Sequence, residues 1–328
     1  MKILMTALLL LSLLTAPAAA LSEDSRLHIV ALNFPAYDFS RQIAGDRAQV
    51  TLLLPPGMDA HSFEPSPRDL ILVQGADLLV YNGGIGDHWV EGLLSAMGQD
   101  APPALAMMGL VDTVSEELVT GMEDAEHAHE DPAGEEAEHG GDADSHGETP
   151  EARDLDEHVW TSPRNAILIA LGIADALSGL DPEGADTYER NFLAYEAQLK
   201  QLDADFRALV DGAPRRVIVL GDRFPMRYFT MEYGLDYYAA FPGCSAQTEP
   251  SARTIAFLMD KVREEKLPVV FYIELSNQKS ARLIAAETGA TPLLLHSAHN
   301  VSQEEFERGV TYLSLMRDNL NMLREALY

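Results

Sequence analysis

Residues 28–57 read HIVALNFPAYDFSRQIAGDRAQVTLLLPPG and contain the pattern that decides the fold class. Apolar, strand-like runs at 28–32 and 50–54 flank a helical pattern at 36–45. A third strand-like run at 78–81 follows a second, shorter helical pattern. The order strand, helix, strand, helix, strand is typical of a parallel α/β sheet, because each crossover helix returns the chain to the starting edge.

The second half of the chain repeats this order of elements. Over 182–211, apolar residues recur at spacings of three and four, which predicts one long helix. A second alternation of strand-like and helical segments follows it. We therefore predict an α/β protein of two Rossmann-like lobes with parallel sheets, at 26–180 and 214–328, joined by the helix at 182–211. A helix this long can act as a stiff strut that permits little lobe motion; a core helix inside a single domain is the alternative.

The most unusual segment is residues 122–151, MEDAEHAHEDPAGEEAEHGGDADSHGETPE. It has 12 acidic residues, no Lys or Arg, and almost no large apolar side chain. Such a segment buries too little surface to offset its ordering entropy, so we predict that it is disordered. Imidazole and carboxylate groups both bind metals, which indicates a low-affinity collector of divalent cations rather than a plain solvated linker. Its four histidines are His127, His129, His139 and His146.

Residues 1–20 have the pattern of a secretory signal peptide. One early charge, Lys2, precedes an apolar run and then small residues, and cleavage is expected after Ala18 or Ala20. The apolar run is too short to span a bilayer comfortably, although a retained membrane anchor is the alternative. Because no cysteine lies near the cleavage site, we expect a periplasmic protein without a lipid anchor.

Composition excludes several classes of function. The formal net charge of −29 argues against a nucleic-acid partner, which needs a basic surface, and is compatible with attracting cations. The single cysteine, Cys244, permits no intrachain disulfide, so the fold depends on its apolar core. The sequence contains no Walker A, G-x-S-x-G or H-E-x-x-H motif, so we expect no enzyme.

Two histidine motifs flank the acidic segment. The first, GMDAHSFEPSP at 57–67, contains His61 and follows a predicted strand. The second, DEHVWTSP at 156–163, contains His158 and precedes a predicted helix. Ligands of open α/β sheets bind beyond the carboxyl ends of the strands, so both histidines are candidates for a binding site.

With the acidic insertion between them, these motifs resemble those of the metal-specific solute-binding proteins of ABC importers, the zinc- and manganese-binding ZnuA/TroA-like family. The resemblance covers essentially the whole chain after 1–20, and GDRFPMRYF at 221–229 is similar to a divergent subgroup. It implies two α/β lobes bridged by a rigid helix, with a metal ion bound in the cleft between them. It also implies delivery of the metal to an inner-membrane permease driven by an ATPase. We expect the protein to be a monomer.

The resemblance also implies a ligand set. His61 and His158 match the two ligands of the N-terminal lobe. The family's third histidine falls on Gly221, which has no side chain, and His296 stands near the family's fourth, acidic ligand. We therefore expect His61, His158 and His296 to bind Zn²⁺, because three imidazoles suit tetrahedral zinc better than manganese.

The sequence leaves the fourth ligand open. Water, Asp222, Glu249 or Glu274 could complete the site, and Glu274 could instead orient an imidazole. His299, three residues after His296, is expected to be exposed, with metal ligation as the alternative. His88 is expected to be a surface residue, with a place at the cleft edge as the alternative. Cys244 is expected to be a buried, unreactive thiol, with metal ligation as the alternative.

The leading function is therefore capture of Zn²⁺ in the periplasm and its delivery to an ABC importer. A manganese-binding member of the same class, a zinc-dependent hydrolase and a periplasmic zinc chaperone are the alternatives.

Overall fold

The protein was analysed as a computed structural model, which describes residues 26–122, 155–245 and 249–328. The predicted signal peptide at 1–20 lies outside the described residues, and so does the acidic segment after Met122. The remaining chain forms two parallel α/β sheets with a long helix between them in sequence, which confirms the predicted fold class.

The N-terminal lobe is a four-stranded parallel sheet in the order β2-β1-β3-β4. Its strands are β1 (Leu27–Ala31), β2 (Ala48–Leu52), β3 (Leu78–Tyr81) and β4 (Ala104–Ala106). Its helices are α1 (Phe34–Ala44), α2 (Pro67–Gln74), α3 (His88–Met97) and α4 (Pro163–Leu180). The sequence patterns did not predict β4, because it has only three residues.

The loop after β2 has a defined end. Ser66 accepts the backbone N–H of Asp69, and Asp69 accepts the backbone N–H of Ser66, so a reciprocal capping box starts α2. Pro67 follows in the first helical turn. The segment with His61 is therefore held between a strand end and a capped helix, and it forms the short turn Ala60–Ser62.

Helix α5 (Ala185–Gly212) links the two halves of the chain, and at about 1.5 Å per residue its 28 residues extend for roughly 42 Å. The second sheet has the order β6-β5-β7-β8, also parallel. Its strands are β5 (Val217–Phe224), β6 (Asp236–Pro242), β7 (Val269–Tyr272) and β8 (Thr291–Leu294). Its helices are α6 (Arg227–Tyr233), α7 (Ala252–Glu264), α8 (Lys279–Thr288), α9 (Gln303–Glu307) and α10 (Tyr312–Leu327).

The C-terminal segment differs from the single helix that the sequence pattern predicts from residue 303 onward. It forms α9 and α10, because Gly309 adopts a left-handed conformation with φ +70°. Thr311 then caps a new helix through a reciprocal bond with Ser314.

One hydrophobic cluster extends through both lobes. It runs from Ile29 in β1 through the buried face of α5 to Leu220 in β5 and Leu327 in α10. Because this core is continuous, separation of the lobes would expose apolar surface. None of the helices in the described ranges has the length and hydrophobicity that a bilayer crossing requires.

Candidate metal centre

A small cavity lies beyond the carboxyl ends of strands from both sheets. Its volume is about 30 Å³, which is room for one metal ion or one to two water molecules. The N-terminal lobe contributes the loop after β2 and the segment before α4; the C-terminal lobe contributes the ends of β5, β7 and β8. Its polar lining residues are Asp59, His158, Arg223, Glu274, Ser297, His299 and Asn300.

His158 is oriented by the residue two positions before it. The imidazole is buried, and its Nδ1 lies 3.2 Å from Oδ1 of Asp156, which also accepts the His158 backbone N–H at 2.8 Å. Burial by itself lowers the pKa of His158, but the charge and hydrogen bond of Asp156 outweigh it, so the pKa is raised above its ordinary value. When Nδ1–H donates to Asp156, Nε2 carries the lone pair, as in carboxylate–histidine–metal arrangements.

Glu157, the residue between Asp156 and His158, bonds to a different segment of the chain. Oε1 of Glu157 accepts the Gly86 backbone N–H at 2.8 Å, and the Glu157 carbonyl accepts the Asn82 amide at 2.9 Å. A Cβ atom on Gly84 would lie 2.4 Å from the Glu157 carboxyl group, so a larger residue there would require that carboxyl group to shift. Glu157 therefore fixes the segment that carries His158 against the end of β3.

His299 lies beside His158. The two ring centroids are 5.4 Å apart with the planes perpendicular, and the indole of Trp160 lies 4.9 Å from His299. The ring nitrogens of two imidazoles bound to one zinc ion at about 2.0–2.1 Å and a tetrahedral angle would put the centroids roughly 5 Å apart. The expectation that His299 is exposed was wrong: it is half-buried and lines the cavity.

Glu274 fixes the backbone that carries His299. Its carboxylate accepts the backbone N–H groups of Ser297 at 2.7 Å and His299 at 3.2 Å, and also the Ser297 hydroxyl. Ala298 between them adopts a left-handed conformation with φ +61°, which is uncommon for alanine and costs free energy. Glu274 therefore holds a strained turn and also lines the cavity.

His296 has a different environment. Its Nδ1 accepts the Ala298 backbone N–H at 2.9 Å, and its Nε2 is 3.9 Å from Oε1 of Glu305. Asn319 of α10 bonds both the backbone N–H and the carbonyl of His296, at 2.8 and 2.7 Å. Among the described residues that line the cavity, the histidines are His158 and His299, and His296 is not one of them.

The resemblance places the family's third histidine at Gly221, at the end of β5. The residue from this strand end that lines the cavity is instead Arg223. A Cβ atom on Gly221 would lie 2.6 Å from the backbone of Ala281, so the end of β5 packs directly on α8 at that point. A register shift in β5 between Leu220 and Arg223 follows, and Arg223 lines the cavity. Its guanidinium donates to Asp59 at 2.7 Å across the lobes.

The two remaining carboxylate candidates do not line the cavity in the described part of the chain. Asp222 accepts the Arg223 backbone N–H at 2.9 Å, and burial raises its pKa. Glu249 is exposed and pairs with Lys279 at 3.3 Å. The thiol of Cys244 is partly buried, and burial raises its pKa, which makes it a poor nucleophile. As expected, His88 is exposed.

The described side chains alone do not form a complete metal site. Within them, no three His, Cys, Asp or Glu side chains are grouped closely enough to hold an ion. The side chain of His61 is not among them, although its backbone lies in the turn Ala60–Ser62, next to the cavity-lining residues Asp59 and Ala60. The four histidines of the acidic segment also lie outside the described residues.

Comparison with known proteins identifies a family with this architecture. A family model described as "zinc-uptake complex component A periplasmic" matches residues 29–326. The high-affinity zinc uptake system protein ZnuA of Bacillus subtilis strain 168 is 31% identical over 306 residues, which cover 93% of this chain and 89% of that protein. The zinc-binding lipoprotein AdcA of Streptococcus pneumoniae strain R6 is 31% identical over 303 residues, and the match covers 92% of this chain but 56% of AdcA.

A solved structure has the same fold. The Zn(II)-bound ZnuA-like domain of Streptococcus pneumoniae AdcA aligns with a TM-score of 0.72 at 27% identity, covering 92% of this chain and 99% of that domain. The fold predicted from the order of strands and helices is therefore that of a zinc-bound relative.

Proposed function

This chain belongs to the family of periplasmic zinc-uptake components, and from that premise we propose that it captures Zn²⁺ and delivers it to an ABC-type importer. The family consists of metal-binding components of uptake systems rather than enzymes. That membership disfavours the zinc hydrolase considered from the sequence.

The observation that carries this proposal is the pair His158 and His299. They come from opposite lobes, line one small cavity, and have ring centroids 5.4 Å apart, as two imidazoles on one ion would. Asp156 supplies the hydrogen bond that favours Nε2 coordination by His158.

We propose His61, His158 and His299 as the histidine ligands. His61 follows β2 and belongs to the N-terminal lobe, as the resemblance implied. The set expected from the sequence had His296 in place of His299, and the contact of His296 with the Ala298 backbone favours a supporting role for it. Glu274 or a water molecule completes the coordination, since Glu274 lines the same cavity.

Zinc is the better cargo for such a site than manganese. Imidazole nitrogen suits zinc, whereas manganese prefers sites with more oxygen ligands. Zinc at a catalytic site needs an open position for substrate, and a cavity of about 30 Å³ leaves little room for one.

The family and the signal-peptide pattern of residues 1–20 together indicate where the protein acts and with which partners. We propose that the chain is exported through a signal peptide at 1–20 and acts in the periplasm as a monomer. Its partners are then an inner-membrane permease and the ATPase that drives it. The acidic segment at 122–151 would collect zinc weakly near the cleft.

Calorimetric titration of the full chain with Zn²⁺ tests the proposal, together with the variants His158→Ala, His299→Ala and His296→Ala. We expect one tight site in the wild type, weakened at least 100-fold by loss of His158 or His299 because each supplies a coordinate bond. We expect His296→Ala to reduce stability and to retain the tight site. His88→Ala is the control, because that histidine is exposed.

Each outcome has a distinct meaning. A wild type with no tight zinc site would overturn the function itself. Loss of the site in His296→Ala, with binding retained in His299→Ala, would restore the ligand set expected from the sequence while zinc capture stands.

A further inference from the structure

The loop that carries His61 is fastened to the opposite lobe. The Asn300 side-chain amide donates to two carbonyl groups of that loop, those of Pro55 and Met58, each at 2.8 Å. The Gly57 backbone N–H donates to the carbonyl of Val301 at 2.7 Å. Three hydrogen bonds therefore join residues 55–58 to the segment that follows His299.

An ion pair lies beside these hydrogen bonds. Arg223 of β5 donates to Asp59 of the N-terminal loop at 2.7 Å, and the Arg223 side chain is only 10% exposed. Its other guanidinium nitrogen donates to the Ser245 carbonyl at 3.4 Å. The Asp59 side chain is 37% exposed, so the pair is shielded from solvent on the Arg223 side and partly open on the other. A charge-assisted bond with one buried partner is stronger than one between two exposed partners.

Both contacts adjoin residues of the proposed metal site. Asn300 follows His299 directly, and Asp59 precedes His61 by two positions. Asn300 is itself buried, and its Oδ1 accepts the Val301 backbone N–H at 2.9 Å, so the orientation of its amide is fixed. Movement of the two lobes apart would break the three hydrogen bonds to residues 55–58 and the Arg223–Asp59 ion pair together, because each joins the N-terminal loop to the C-terminal lobe.

We infer that Asn300 and the Arg223–Asp59 pair form a cross-cleft clasp that positions His61 against His158 and His299 and sets the rate at which the metal leaves. This inference rests on the proposed function, because it concerns release from the same site. The clasp residues act as positioning residues: they hold the ligand loop in place, and Asn300 carries no charge that would attract or repel the ion.

The clasp affects dissociation more than association. An ion enters an open cleft in either case, whereas escape from the closed site requires the clasp to break. Its loss therefore shortens residence of the metal. The zinc dissociation rate and the stability of the metal-free protein depend on different contacts. A variant can therefore change the first without changing the second.

The test uses full-length chain loaded with one equivalent of Zn²⁺, and release is followed by stopped flow in excess chromogenic chelator. Asn300→Leu removes both cross-cleft donors without a change of charge, and we expect it to raise the dissociation rate about tenfold or more. Asn191→Leu is the matched control, because the Asn191 amide donates to the carbonyl of Ile43 at 2.9 Å and so joins the linking helix α5 to α1.

A double-mutant cycle tests the ion pair. Asp59→Asn and Arg223→Gln each remove one partner, and the double variant should release zinc no faster than the faster single variant, because the partners act together. Arg164→Gln is the control here. Arg164 of α4 pairs with Glu232 of α6 across the lobes at 3.3 Å, without a contact to the His61 loop.

The outcomes separate the inference from the function it rests on. Tight zinc binding in the wild type, with equal release from Asn300→Leu and wild type, would overturn the clasp and leave zinc capture intact. Faster release in Asn191→Leu or Arg164→Gln to the same extent would also overturn it, because general destabilisation would then explain the effect. Metal-free melting temperatures of all variants provide that comparison.

Discussion

The carboxylate of Asp38 accepts the backbone N–H of Tyr312 at 2.8 Å and so joins helix α1 of the first lobe to the start of helix α10 at the C-terminus. Asp38 is fully buried. Burial raises its pKa from 3.8 to about 6, although bonds from Tyr312 and Gln42 act in the opposite direction. The folded protein therefore holds a proton on Asp38 at pH values where the unfolded chain has lost it.

Because the pKa of Asp38 is raised, this residue should make the free energy of unfolding fall as the pH rises from about 4 to about 6. In that window the folded state binds more protons than the unfolded state, so ionisation costs stability on the order of 2–3 kcal/mol by pH 7. Asp38→Asn should remove this cost, and its melting temperature relative to the wild type should increase from pH 4 to pH 7. Calorimetry across that range measures it, with exposed Asp46→Asn as control; a difference that does not change with pH would contradict it.

A histidine placed at position 221 should not supply the third histidine ligand that the resemblance implies there. The Cβ of any residue there would lie 2.6 Å from the backbone of Ala281, which cannot move without displacing α8. We expect Gly221→Ala to destabilise by about 1–3 kcal/mol through overpacking, and Gly221→His by more. Urea unfolding measures both.

Two helical glycines provide the control for that prediction. Cβ atoms on Gly92 in α3 and Gly179 in α4 would meet no atom within 4 Å. Their replacement by alanine should be neutral or stabilise by up to ~1 kcal/mol, because alanine favours helix. Equal effects at all three positions would contradict the steric account of Gly221.

Much of the fold could be predicted from residue order, because strand and helix periods differ and the motif with His61 follows a strand. Placement of His158 before α4 was visible in the same way. The lining of the cavity by Glu274 was foreseeable too, since it follows a strand whose end faces the cleft.

The choice between His296 and His299 could not be made from sequence. They are three residues apart in one loop, and the left-handed turn at Ala298 decides which of them lines the cavity. Alanine gives no signal of such a turn, because most left-handed residues are glycine or asparagine. The Arg223–Asp59 pair was equally hidden, since 164 positions separate the partners and Arg223 follows a register shift in β5 that the sequence does not show.

Zinc should change the fluorescence of one of the two tryptophans. Trp160 lies 5.6 Å from the ring of His158 and 4.9 Å from that of His299, and its Nε1 donates to the Ser297 carbonyl at 2.8 Å. Binding of a cation to both imidazoles would alter the field at the indole. We expect a saturable change in intrinsic fluorescence at one equivalent of Zn²⁺.

Substitution identifies the source of that signal. Trp160→Phe should abolish most of the change, whereas Trp89→Phe should retain it, because Trp89 packs on Phe63 inside the N-terminal lobe at 6.3 Å. Trp160→Phe should also lower stability by about 1 kcal/mol through loss of the bond to Ser297. The reverse pattern, with the signal lost in Trp89→Phe, would place the responding group near that side chain.

The acidic segment should add weak zinc sites without contributing to the tight one. Its histidines precede the motif that contains His158, and its composition provides many low-affinity ligands but no fixed geometry. Deletion of residues 124–148 should therefore remove the weak phase of a calorimetric titration and leave the tight phase unchanged.

A second variant separates histidine from charge. Replacement of all four histidines of the segment by asparagine keeps its length and its 12 carboxylates. If imidazole captures the metal, this variant should lose most of the weak binding; if the carboxylates suffice, it should resemble the wild type. Loss of the tight phase in either variant would mean that the segment supplies a ligand to the site itself, and the proposed set of His61, His158 and His299 would then be incomplete.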